Sequence, residues 1–222
     1  AASVLPLRIE QTVPEAQRRV ITSHAFAAVG MGLPWPVLLL AVEQSTASQL
    51  VLGLAGAARL APYVAFSWLS GRLADRRERA LIVRISLWAR LVALVAAGAA
   101  LAASSPLLAV LAATGAIVAG TPAFLALAAG MPRLAGPATE RATSLLVTVE
   151  VASFVVGPAI GGTVVGRMPP AGVPIIGALL VGVSIAAFGR IAMPAPPDPG
   201  RDAGACGVWP LLRRQAAARH AL

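Results

Sequence analysis

Three charged side chains stand deep inside long apolar runs of this chain, more than a helical turn from either end: Arg59, Arg90 and Glu150. A charge there has no bulk water to solvate it, and placing it mid-bilayer costs at least about 2.5 kcal/mol unless it is paired or hydrated. At about 1.5 Å per residue, Arg59 lies about 18 Å before Gly71 and Arg90 about 15 Å into its own run, so both approach mid-membrane depth. Glu150, roughly 10 Å into its run, is the only carboxylate in the interior of any of them. Its chemistry is that of a proton carrier or of a partner for a guanidinium; an ion pair serving assembly alone is the competing reading. No pair of His, Ser, Cys or carboxylate groups is spaced for nucleophilic or acid–base catalysis, so an enzyme is not expected. The single cysteine, Cys206, cannot form an intrachain disulfide, and no Cys/His cluster has metal-ligand spacing; neither metal nor cofactor is expected. His24 falls near one end of the first run and reads as an interfacial residue.

The elements that must position these charges are membrane helices. Of 222 residues, 58% are hydrophobic and 12% charged, with a mean hydropathy of +0.80, far from the roughly 25% charge of soluble domains. Continuous runs of about 20 residues favour helices over the short alternating strands of a barrel. Six apolar stretches can be marked, at about 21–42, 50–70, 81–103, 107–130, 143–166 and 172–193. Arginines then test the arrangement. Arg8, Arg18 and Arg19 precede the first stretch, Arg72, Arg76, Arg77 and Arg79 follow the second, Arg133 and Arg141 follow the fourth, and Arg201, Arg213, Arg214 and Arg219 lie in the tail. All fall on one side of an alternating chain and only Arg167 on the other, so the positive-inside rule places both termini in the cytoplasm of a multi-pass protein of the cell inner membrane. The same distribution explains the net charge of +9 without nucleic acid. The chain divides into a cytoplasmic segment 1–20, a six-helix membrane domain 21–193 and a cytoplasmic tail 194–222. That tail reads either as a basic amphipathic segment at the membrane surface or as disordered.

The loop after the second stretch reads Gly71-Arg72-Leu73-Ala74-Asp75-Arg76-Arg77-Glu78-Arg79. It resembles the signature between helices two and three of the major facilitator superfamily, Gly-x-Leu-Ala-Asp-Arg followed by a second basic cluster. Glu78 stands where the family usually has Gly, and Ala80 where a basic residue is common. Asp75 and Arg79 are four apart and can pair across a helix turn. The resemblance implies a conformational-switch loop made of Gly71, Leu73, Asp75, Arg76 and Arg79; arginines that only enforce topology are the alternative. A second segment, Gly157-Pro158-Ala159-Ile160-Gly161-Gly162, is similar to the Gly-Pro-x-x-Gly-Gly core of the family's helix-five motif, associated with exporters and especially proton-coupled antiporters. Gly157 and Gly161 also make a small-xxx-small face, which close helix packing alone would explain.

The resemblance covers residues 20 to 195 and is nearest to bacterial exporters of drugs or metabolites. It implies an all-α membrane fold, the N-terminal half of the major facilitator fold with its 3+3 inverted repeat. Gly30-x-Gly32-x-Pro34 in the first stretch and Gly120-Thr121-Pro122 in the fourth echo that repeat. Arg59 and Glu150 are expected near the central cavity as its charge or proton-coupling groups. Trp35 and Phe124 are expected to line it, while Arg90, on the more peripheral third helix, is expected to pair locally or snorkel. The function implied is one half of a secondary active transporter, with proton-coupled efflux of a small amphipathic molecule by alternating access. Expected partners are the lipid bilayer, the substrate, protons, and a C-terminal half or a second copy of the chain. A non-transporting membrane scaffold or regulatory partner is the alternative, favoured by Glu78, Ala80 and the six-helix length.

Overall fold

The computed structural model describes residues 5–136, 139–189, 191 and 193, with side chains from Glu15 onward except those of Asp75 and Arg76. All secondary structure among the described residues is helical. The first apolar stretch forms α1 (Leu5–Gly32) and α2 (Trp35–Ser45), separated at Leu33–Pro34. Pro34 and Pro36 lack backbone donors, so the carbonyls of Gly30 and Gly32, four residues earlier, lose their helical partners and the axis breaks.

The second stretch, expected as one helix over 50–70, is three: α3 (Gln49–Ala57), α4 (Ala61–Ala65) and α5 (Ser67–Arg76). Pro62 is the physical reason. It cannot donate to Ala58 O, and the chain instead closes tighter three-residue turns, Arg59 N to Gly56 O at 3.2 Å and Leu60 N to Ala57 O at 3.0 Å. Arg59 is thereby carried in the turn between α3 and α4.

The remaining stretches form α6 (Arg79–Ala102), α7 (Pro106–Ala135), α8 (Thr139–Val164) and α9 (Gly172–Phe188). Among the described residues, four segments are long and apolar enough to cross a membrane: Glu15–Ser45, Arg79–Ala102, Pro106–Ala135 and Thr139–Val164. α9 is shorter, at 17 residues, because Pro169-Pro170 precedes it and Gly189, at φ +52°, turns the chain out of the helix. The tail 194–222 lies outside the described residues, and the segment expected to end at residue 20 is continuous with α1.

α6 packs along α7, and α1 is clasped by α8 and α9. Small residues set these distances. A methyl added to Gly30 would lie 2.7 Å from Gly177 O, and Cβ atoms at Gly157 and Gly161 would fall on the backbone of Gly32 and Leu33. The buried side chains form one cluster around Val83, Leu94, Met131, Leu146 and Phe188, and another around Trp35, Leu38, Ala109 and Ile117. Leu50, Val64, Leu111, Val151 and Val155 are exposed on the outside, the apolar surface expected where acyl chains replace water.

Candidate functional site

The broken helices meet the unbroken ones at a small pocket. Arg59 reaches it from the α3–α4 turn, Tyr63 from α4, Trp35 from the start of α2, Arg90 from α6, and Glu150 and Phe154 from α8. Its cavity volume is about 20 Å³, room for about one water molecule.

Glu150 is held by a residue from another element. His24 Nε2, on α1, lies 2.9 Å from Glu150 Oε2. No aligned hydrogen bond at Nε2 accompanies this close approach. His24 is 3% exposed and its ring stands 5.7 Å from that of Phe124. The Tyr63 side chain also faces the carboxylate.

Arg59 and Arg90 are fixed by backbone carbonyls. Pro158 has no N–H to give the carbonyl four residues back, Phe154 O. Arg59 Nη2 takes its place, donating to Phe154 O at 3.1 Å with the guanidinium 5.6 Å from the Phe154 ring centroid, and Tyr63 packs edge-on against the same ring. Arg90 is 4% exposed and donates from Nη2 to Gly120 O at 2.8 Å. Its guanidinium lies where a side chain at residue 120 would be: a Cβ on Gly120 would come within 2.5 Å of Arg90 Nε. Arg90 Nε itself has no hydrogen-bond partner among the described residues.

Neither motif segment contributes a lining residue to this pocket. Gly71 and Leu73 sit in α5, with open space around Gly71, and Arg79 begins α6 with 5% exposure. The Asp75 and Arg76 side chains fall outside the described residues. Gly157 and Gly161 press on α1, the Pro158 ring lies close to Gly32, and Gly162 faces open space.

A family model described as Major Facilitator Superfamily matches residues 20–221. The chain belongs to the major facilitator superfamily. Comparison with curated proteins and with solved structures gives no significant match. Members of this superfamily are membrane transporters, and membership makes this major facilitator chain a membrane transport protein in general terms.

Of the expected pocket residues, Arg59, Glu150 and Trp35 come together at the pocket, while Phe124 stands behind His24 instead of on the lining. Two expectations are corrected. His24 is not interfacial but buried on Glu150, because α8 carries the carboxylate across to α1. Arg90 does not snorkel; it turns into the pocket because Gly120 leaves its side-chain volume vacant. Tyr63 and Phe154 were missed in the sequence. The available signals were Pro62, which breaks the helix beside Arg59, and Pro158, which frees the Phe154 carbonyl.

Proposed function

We propose that this major facilitator chain supplies six membrane-crossing helices of an alternating-access exporter, coupling inward proton movement to efflux of a small amphipathic molecule. In this reading α1–α2 make the first crossing, α3–α5 the second and α9 the sixth, arranged as the 3+3 repeat of one transporter half in the inner membrane with both termini cytoplasmic. A further six-helix half or a second copy closes the other side of the cavity.

The observation that carries the reading is Glu150: a carboxylate at membrane depth, in contact with an imidazole, on a water-sized pocket. Burying such a pair is costly for assembly alone, whereas exchange of a proton at Glu150 alters the charge that the pocket presents and so biases it toward one side of the membrane. Asp75, Arg76 and Arg79 act at the cytoplasmic end as the switch that holds one orientation.

The test is reconstitution in proteoliposomes with an imposed pH gradient and a panel of fluorescent amphipathic dyes. Wild-type protein is expected to expel at least one dye with accompanying proton flux, and Glu150→Gln to lose that flux by about a hundredfold while remaining folded. Coupled efflux that survives Glu150→Gln overturns the carrier role.

A further inference from the structure

We propose that the pocket is an anion site, in which Arg59 and Arg90 hold the negatively charged group of the transported molecule or a free halide. The assignment to a transported molecule rests on the exporter reading; the site itself does not.

The argument begins with charge. Two guanidinium groups line the pocket with a single carboxylate, Glu150. Among the described residues no carboxylate lies within 4 Å of either guanidinium, and Glu150 contacts His24 instead. The other facing groups, Tyr63 and His24, add no negative charge while the phenol keeps its proton. The pocket therefore carries a surplus positive charge in a low-dielectric surrounding, which an anion would neutralise.

Geometry adds the donors. Arg90 is 4% exposed, and its Nε has no partner among the described residues. An unmade hydrogen bond on a buried charged group is unfavourable, and the planar guanidinium presents further donors in a fork matched to carboxylate and sulfonate oxygens. The carbonyls of Gly120 and Phe154 each take one Nη donor and hold the two side chains at the pocket without satisfying their charge. With about 20 Å³ available, a halide or the charged head of a ligand is the size that enters in this conformation. Trp35 and Phe154 form an apolar wall beside it.

The full chain in nanodiscs, titrated calorimetrically with sodium octanoate and separately with sodium bromide, tests this. Millimolar or tighter binding of octanoate, displaced only by a large excess of bromide, assigns the head of an amphipathic molecule. Bromide binding without octanoate binding assigns an inorganic anion. Neither binding overturns the proposal. Arg90→Gln is expected to abolish binding, and Gly120→Ala, which keeps every charge but pushes the guanidinium aside, to weaken it at least tenfold. Glu150→Gln removes the only negative neighbour among the described residues and is expected to tighten binding several-fold, an outcome a purely structural arginine pair would not give. Weaker binding in Glu150→Gln, or unchanged binding in Arg90→Gln and Gly120→Ala, also overturns it. Proton flux measured on the same preparations separates the two proposals. Anion binding without flux removes the coupling and keeps the site, and flux without anion binding does the reverse.

Discussion

The two parts of α8 differ sharply although both are apolar and both face α1. Before Phe154 the helix offers side chains: Glu150 meets His24, and Ser153 and Phe154 close the pocket. After Pro158 it offers their absence, with Gly157 and Gly161 letting the backbones of α8 and α1 come together. Pro158 joins the two, because the donor it lacks leaves Phe154 O for Arg59. In this structure the segment 157–162 packs backbone against backbone, and the pocket-lining side chains of the same helix stand one to two turns earlier.

Gly161→Val should break this division most severely. Its first added carbon would fall on the Leu33 carbonyl oxygen, which belongs to backbone and cannot rotate away. Overpacking of this kind costs about 3 kcal/mol, so the expected result is a large loss of monodisperse protein on size exclusion and a much lower thermal midpoint. A Gly161→Val protein as stable as wild type would mean that α8 and α1 are not in contact at Leu33.

Pro158→Ala probes the link between the two parts. Alanine returns an N–H to Phe154 O and competes with Arg59 for it. Hydrogen bonds from charged groups contribute about 1.5–3 kcal/mol, so dye efflux is expected to fall roughly tenfold while the thermal midpoint is unchanged or higher. Unchanged efflux would show that Arg59 holds its place without the Phe154 carbonyl, and the pocket and the motif would then be independent.

How far the sequence reaches follows from the same contrast. The long spans α6, α7 and α8 and the charges within them were legible, since an apolar run and a charge inside it are local facts. The division of the second stretch was readable from Pro62 in principle, but a proline in an apolar run marks either a kink or a break, and neighbouring helices decide which. The partners of the charges were not legible. His24 and Glu150 are 126 positions apart in sequence, and only the apposition of α1 and α8 joins them. Arg90 was misjudged because its seat is a missing side chain: Gly120 is visible in the sequence as a glycine, not as space reserved for a guanidinium on another helix.

The smallest effect is expected at the last glycine of the motif, and it sharpens the comparison most finely. No atom lies within 4 Å of where a Cβ on Gly162 would stand, unlike the adjacent Gly161 and Gly157 five residues back. In this conformation Gly162→Ala therefore meets no steric cost and gains about 0.5–1 kcal/mol of helix propensity, so the thermal midpoint should rise slightly with efflux unchanged. Packing against α1 then accounts for Gly157 and Gly161 but not for their neighbour. A rise in stability accompanied by a loss of efflux would give Gly162 a different reason to be small: a second arrangement of the helices, visited during transport, in which another backbone approaches the face that is open here.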